Sequence, residues 1–446
     1  MTTSVDIRLC NSCARLANPG VRSRGTGIAD AVVSRFGCSK LQEPAFWSKW
    51  VVRMRILYAL DSYRPNIDGV AVSVERQALG LLKRGHDVAI LAPSQAFEDY
   101  EEEYAGVKIF RVHSIRLILD RWRLVIHPLE TVERVFDAHS PDVVVATLPF
   151  PLNKAAIEIG KKRGLPIVGI TGTMPEWLIY NVTLLKPFSR MLNSTIWRHI
   201  VSCYDQCDIV VAVSSTAENL LLQHNIHRPT TVISNGVPLR DFRPRPRARK
   251  LAERLGIPDK PCVLYTGRLD SEKCMDVWIK AIPTVIRSVD AHFVVGGDGS
   301  ERGHLIAAVA KMGLADRVTF TGFLEYRDYC QLYSLATVFA IASPSELQSI
   351  VTLEAASSGL PIVAVNAGAL PELVDDGRNG FLFDEGNSEQ MAGSLISILT
   401  SPELARRLGQ ESRRIAEKHD FENSILKYEA LYKKVLTDAA STNVRR

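Results

Sequence analysis

Two α/β units of the doubly wound, parallel kind in tandem are the architecture this sequence predicts, on three observations. Short apolar runs recur with helix-length segments between them. The series breaks once, at a stretch rich in proline and arginine, and then resumes. No apolar run reaches the length of about 18 residues that a membrane-spanning helix takes. With 446 residues, 46% hydrophobic and 23% charged, the chain is long enough to bury two ordinary cores.

The first 53 residues stand apart. They lack periodicity around "NPGVRSRGTG" and hold 8 Lys and Arg against 3 Asp and Glu, so the net charge of +5 belongs to them and the remainder carries 46 of each sign. A neutral body argues against nucleic acid as a partner. Three readings fit the tail: a disordered segment, translation beginning at Met54, and an Arg- and Ser-rich transit peptide. Cys10 and Cys13 form a lone CxxC with no second pair, which is a weak metal signal. Cys203, Cys207 and Cys262 fall in apolar segments, as reduced buried thiols of a cytoplasmic protein do.

Residues 54–237 read as the first domain, through the strand-like runs "RILYAL" (55–60), "DVAILAP" (87–93), "DVVVATL" (142–148), "PIVGITG" (166–172) and "DIVVAVS" (208–214). An amphipathic helix is expected over Val72–Arg84. Residues 238–261, "PLRDFRPRPRARKLAERLGIPDKP", read as the linker. The second domain, 262–420, follows with "CVLYTGR" (262–268), "HFVVGGDG" (292–299), "RVTFTGF" (317–323), "VFAIAS" (338–343) and "LPIVAV" (360–365). Residues 421–446 are expected to form a helix that returns to the first domain. Solenoid repeats and low-complexity tracts are absent.

Ligands of open parallel sheets bind at the carboxyl ends of the strands, so the loops there carry the chemistry. Glu346 lies in the loop after "VFAIAS" and Glu354 on the helix that follows, seven residues between them. A carboxylate in an apolar run is costly unless it binds something. Arg268 and Lys273 flank the loop after "CVLYTGR"; two fixed cations there suit a diphosphate, although a solvated surface pair has the same look. Gly69 precedes the first amphipathic helix, where a glycine lets an anion approach backbone N–H groups; an ordinary turn glycine fits as well. "GGDGSERGHL" (296–305) is not a GxGxxG fingerprint, which speaks against hydride transfer. His86, His113, His127 and His139 show no ligand spacing, so no metal site is expected.

Read together, "RPNIDGVAVSV", "VISNGVPLRDF", "YTGRLDSEK", "GGDGSER", "FTGFL", the E-x7-E pair, "ASSGLPIVA" and "GALPELVDDGRNGFLF" resemble the family-four retaining glycosyltransferases of GT-B fold, over roughly residues 54–440. The resemblance implies that Arg268 and Lys273 hold the diphosphate of a UDP- or GDP-sugar, with Gly69 approaching it from the other domain. It implies that Glu346 binds sugar hydroxyls and Glu354 ribose hydroxyls. The main chain near Ile350 and Val351 would face phosphate, and Gly322 and Phe323 would border the base. No metal and no other cofactor is implied. Many members carry a histidine where this chain has Gly172, followed by Thr173, Met174 and Glu176.

The "SELQSIVTLEA" version resembles bacterial lipid-directed members, the diacylglycerol glucosyltransferases and phosphatidylinositol mannosyltransferases, and implies a lipid acceptor at the inner membrane face. In Lys186–Cys203, Phe188, Leu192, Ile196 and Ile200 fall four apart, with Lys186, Arg190 and Arg198 on another face. This helix fits an anionic lipid surface and fits equally a core-facing position. Other readings are a soluble or polysaccharide acceptor, a nucleotide-sugar epimerase, and a non-catalytic nucleotide-sugar-binding subunit. The sequence carries no sign of the oligomeric state.

Overall fold

Strands buried on both faces need helices on both faces, and the chain supplies them in alternation. The computed structural model describes residues 53–65, 68–116, 123–147, 149–172 and 189–445. The calls on Cys10, Cys13, Thr173, Met174, Glu176, Lys186 and Phe188 lie outside these residues. Among the described residues the first sheet comprises β1 (Arg55–Ala59), β2 (Asp87–Pro93), β3 (Tyr100–Tyr104) and β4 (Val107–Val112), then, past the small β5 (Ser114–Arg116) and β6 (Arg123–Val125) ribbon, β7 (Val143–Ala146), β8 (Ile167–Ile170), β9 (Ile209–Ala212) and β10 (Thr230–Val232). Their order is β10-β9-β8-β7-β1-β2-β4-β3, parallel except for β3. The second sheet comprises β11 (Cys262–Thr266), β12 (His292–Gly296), β13 (Val318–Gly322), β14 (Val338–Ile341), β15 (Ile362–Val365) and β16 (Gly380–Phe383), in the order β13-β12-β11-β14-β15-β16 and parallel throughout.

Both sheets reverse strand order once beside their first strand, between β1 and β7 and between β11 and β14. Connections leave in opposite directions there and open a crevice at the carboxyl edge. Helices enter that edge with their amino ends. Gly69–Lys83 starts behind Asp68, whose carboxylate accepts the Ala71 N–H at 2.8 Å. Ile350–Ser357 starts behind Ser349, whose hydroxyl accepts the Thr352 N–H.

The structure adds β4 and β10, and the acidic edge strand β3, whose run of three exposed glutamates disguises it in sequence. Parts of the segment 238–261 pack with the second domain. Phe242, Leu251, Ala252 and Ile257 belong to the second core, and Arg249–Leu255 is a helix, so the apolar residues among the prolines and arginines decide the segment's place. The final helix, Phe421–Arg445, seats Phe421, Ile425, Tyr428 and Tyr432 in the core of the first domain.

The helix Ser189–Tyr204 takes the core-facing alternative where its side chains are described. Ile200 is 2% exposed beside the buried Trp197, and Ile196 packs against the same core. Ile196 and Ile200 are thus taken up by the core of the first domain, while the side chains of Arg190 and Leu192 lie outside the described residues.

At the end of β1, Asp61 is buried and accepts hydrogen bonds from the Leu152 N–H at 3.1 Å and from the Asn153 amide. Burial pushes its carboxyl up to about 6, against the pull of those donors. The folded chain therefore keeps a proton, between the ordinary carboxyl range and pH 6, that the unfolded chain has released. The term stabilises below the unfolded value and is lost as pH rises through the folded one. Urea unfolding of wild type and Asp61→Asn should show wild type losing stability relative to the variant from about pH 4 to about pH 6. A difference independent of pH would contradict this assignment.

Candidate functional site

The carboxyl edges of the two sheets enclose a cavity of about 160 Å3. The first domain lines it with Asp68, Gly69, Ser73, Thr147, Thr171, Gly172 and Asn235; the second lines it with Arg268, Glu272, Lys273, Ser345, Glu346, Gln348 and Ile350. Of the residues singled out in sequence, Gly69, Gly172, Arg268, Lys273, Glu346 and Ile350 meet there. Val351, Glu354, Gly322 and Phe323 do not line it, and Phe323 is exposed on the rim.

The loop bearing Arg268 is held by three hydrogen bonds. The Tyr265 hydroxyl donates to the Arg268 carbonyl at 2.9 Å. The turn after β12 grips the same loop: Gly267 N–H donates to the Gly296 carbonyl at 2.9 Å and Leu269 N–H to that of Asp298 at 3.0 Å. Gly297 sits at φ +132, and a Cβ there would fall 1.9 Å from the Gly267 oxygen. The "GGDG" signature thus serves close backbone packing. Arg268 itself pairs with Asp270 and, at 2.6 Å, with Glu272. Burial works to lower its pKa, but Glu272, Asp270 and Asp68 outweigh it, and the guanidinium is held more firmly charged.

The loop bearing Glu346 is pinned as closely. Ala369 N–H donates to the Glu346 carbonyl at 2.8 Å, and Gly368, at φ +56, has no room for a side chain: a Cβ would stand 2.7 Å from that carbonyl oxygen. From the first domain, the Ser214 hydroxyl donates to the Leu347 carbonyl at 2.5 Å and Asn235 N–H to the Gln348 side chain at 2.7 Å. The Glu372 carboxylate accepts N–H groups of Ser215 and Thr216, at the positive end of helix Ser215–Gln223. Glu346 Oε1 lies 2.8 Å from Lys273 Nζ, with 13% and 15% of the two side chains exposed.

Glu354 is engaged elsewhere. Its carboxylate is buried and takes hydrogen bonds from Arg76 Nη2 at 2.6 Å, Tyr329 at 2.6 Å and Tyr333 at 2.8 Å. Arg76 comes from the first domain, so this is an ion pair between domains, and its Nη1 is buried with no hydrogen-bond partner. Burial pulls the Arg76 pKa down, and the Glu354 charge more than restores it. Burial, then the Glu354 charge, drives both tyrosines well above their ordinary range, so they stay protonated as donors.

Sequence reasoning missed Arg76, Glu272, Gln348 and Glu372. Glu272 alone had a usable signal, its place between the two cations. Among the described residues no three His, Cys, Asp or Glu side chains gather as for a metal ion.

A pair of Rossmann-like domains facing each other across such a cleft defines the GT-B glycosyltransferases. Residues 67–241 match the model described as Glycosyltransferase Family 4, and 248–415 that described as glycosyl transferases group 1. The chain belongs to these families and is a glycosyltransferase. It is similar to a sulfoquinovosyl transferase of Arabidopsis thaliana, 30% identical over 63% of this chain and 54% of that one. It is similar to an alpha-monoglucosyldiacylglycerol synthase of Acholeplasma laidlawii, 24% identical over 80% of this chain and 92% of the relative. The crystal structure of Anabaena HepE in complex with UDP and glucose shares the fold, with a TM-score of 0.68 and 21% identity over 86% of this chain and all of that one.

Removing one partner of a buried ion pair leaves a stranded charge. Arg76→Met should therefore cost about 3 kcal/mol in unfolding free energy. Arg76→Met/Glu354→Gln should recover part of that loss in a double-mutant cycle. Strictly additive losses would contradict the pairing.

Proposed function

We propose that this glycosyltransferase moves a hexose from a UDP- or GDP-sugar to a hydroxyl of a membrane lipid, with retention of configuration and without a metal ion. The observation that carries the reading is the convergence on one cavity of Arg268, Lys273 and the amino ends of helices Gly69–Lys83 and Ile350–Ser357. Such groups supply fixed positive potential where a leaving diphosphate gathers charge. The resemblance adds the roles. Arg268 and Lys273 take the diphosphate, the main chain at Gly69, Ile350 and Val351 faces phosphate, Glu346 orients the sugar, Glu354 takes the ribose, and Gly322 and Phe323 border the base.

As the bond to the β-phosphate stretches, the sugar becomes oxocarbenium-like. The acceptor hydroxyl attacks from the face the phosphate vacates, and that phosphate takes its proton. Glu346 positions the ring in this scheme and forms no bond to it. The Acholeplasma relative is named for a diacylglycerol glycolipid, which favours a lipid acceptor over a soluble one. No helix among the described residues is long and apolar enough to cross a membrane. Contact with lipid is therefore proposed at the surface, on the cytoplasmic side.

Incubation with UDP- and GDP-sugars and a membrane lipid extract in EDTA tests the reading. An α-linked glycolipid is expected from an α-linked donor, at undiminished rate. A β-linked product, a requirement for divalent metal, or transfer to soluble acceptors alone would each overturn the corresponding part. Arg268→Ala or Lys273→Ala should lower kcat on the order of 10²-fold, since charge stabilisation there grows toward the transition state. Glu354→Gln should act mainly on donor KM, because ribose contacts change little as the sugar bond breaks. Equal losses of kcat in all three would show the roles to be wrongly divided.

A further inference from the structure

We infer that Glu346 discriminates between the intact donor and the nucleoside diphosphate left after transfer, by serving as the counter-ion of Lys273 whenever no sugar is present. The inference rests on the proposed donor site and adds a selectivity to it.

The cavity is built for an anion, yet its lining carries three carboxylates, Asp68, Glu272 and Glu346, against two cations, Arg268 and Lys273. Both cations are already paired within the chain, Arg268 with Asp270 and Glu272 and Lys273 with Glu346. A phosphate entering there exchanges one ion pair for another. What becomes of the displaced carboxylate decides the balance.

Asp270 and Glu272 stand next to Arg268 in sequence, and Asp270 keeps the Ser300 N–H as a second partner at 2.9 Å. Glu346 is different. Its backbone is fixed by Ala369 and by the bond from Ser214 to the neighbouring carbonyl, so its main chain is tied in place when Lys273 turns to a phosphate. An intact nucleotide sugar brings hydroxyl donors to the place Lys273 gave up, and the carboxylate exchanges one donor for others. A bare nucleoside diphosphate brings only acceptor oxygens and more negative charge. It leaves a half-buried carboxylate unpaired beside it, an arrangement that is costly at low local dielectric.

The consequence is a site that takes the donor more readily than the product. Once the sugar has gone, Lys273 and Glu346 re-form their pair as the diphosphate departs, which favours release and weakens product inhibition.

Isothermal titration of the full-length protein with UDP, UDP-glucose, GDP and GDP-mannose, for wild type, Glu346→Gln and Lys273→Ala, tests this. Glutamine keeps the shape, removes the charge and replaces one acceptor oxygen with an N–H donor. Glu346→Gln should bind the nucleoside diphosphate of the preferred base roughly tenfold more tightly than wild type, while its affinity for the nucleotide sugar stays level or falls. Nucleotides that bind through Lys273 but no more tightly to Glu346→Gln would overturn the inference and leave the donor site standing. If neither base binds the wild type, or Lys273→Ala leaves affinity unchanged, the donor reading itself fails and this inference with it.

Discussion

A guanidinium and an ammonium ion largely withdrawn from water need counter-charges, and this constraint organises the site. Desolvating a lone charge costs more than a folded chain can spare, so each cation needs carboxylates of its own until a ligand replaces them. Arg268 is held by two acids from its own loop, and Lys273 by Glu346 from the next. The loops that deliver these groups leave β11 and β14, the two strands at which the second sheet reverses its order. Fold and chemistry meet there because backbone connections leave the crevice open at that point.

Polar contacts join the two domains across the cleft. Gln348, Glu372 and Glu354 each reach a first-domain group: the Asn235 backbone, a helix amino end and Arg76. Gln348 and Glu354 lie within the E-x7-E segment, and Glu372 follows the Gly368–Ala369 turn that braces Glu346. The Arg76 pair covers Glu354 from the first domain.

Much of this was legible in the sequence for a local reason. Arg268, Lys273 and Glu346 lie within a few residues of strand ends that apolar runs reveal, and the E-x7-E spacing follows from one loop and one helix turn. Arg76, 278 residues from Glu354, was not legible. On an amphipathic helix it has the look of any solvated charge, and its partner is supplied by another domain. The "GGDG" turn was visible but open in meaning, since a glycine needed for backbone packing and one needed for a phosphate are the same letter. The stripe through Ile196 and Ile200 was ambiguous likewise: periodicity shows that a face is apolar, and only packing shows what covers it.

A cleft that recognises a nucleotide sugar through Arg268, Lys273 and two helix amino ends must be stabilised by that ligand. Thermal unfolding against a panel of UDP- and GDP-sugars in EDTA tests this most directly, because a ligand that binds only the folded state raises the melting temperature. At 100 times its Kd, the preferred donor should stabilise wild type by about 2.7 kcal/mol, and the shift should vanish in Arg268→Ala. Stabilisation by no member of the panel, or an equal shift in Arg268→Ala, would contradict the account.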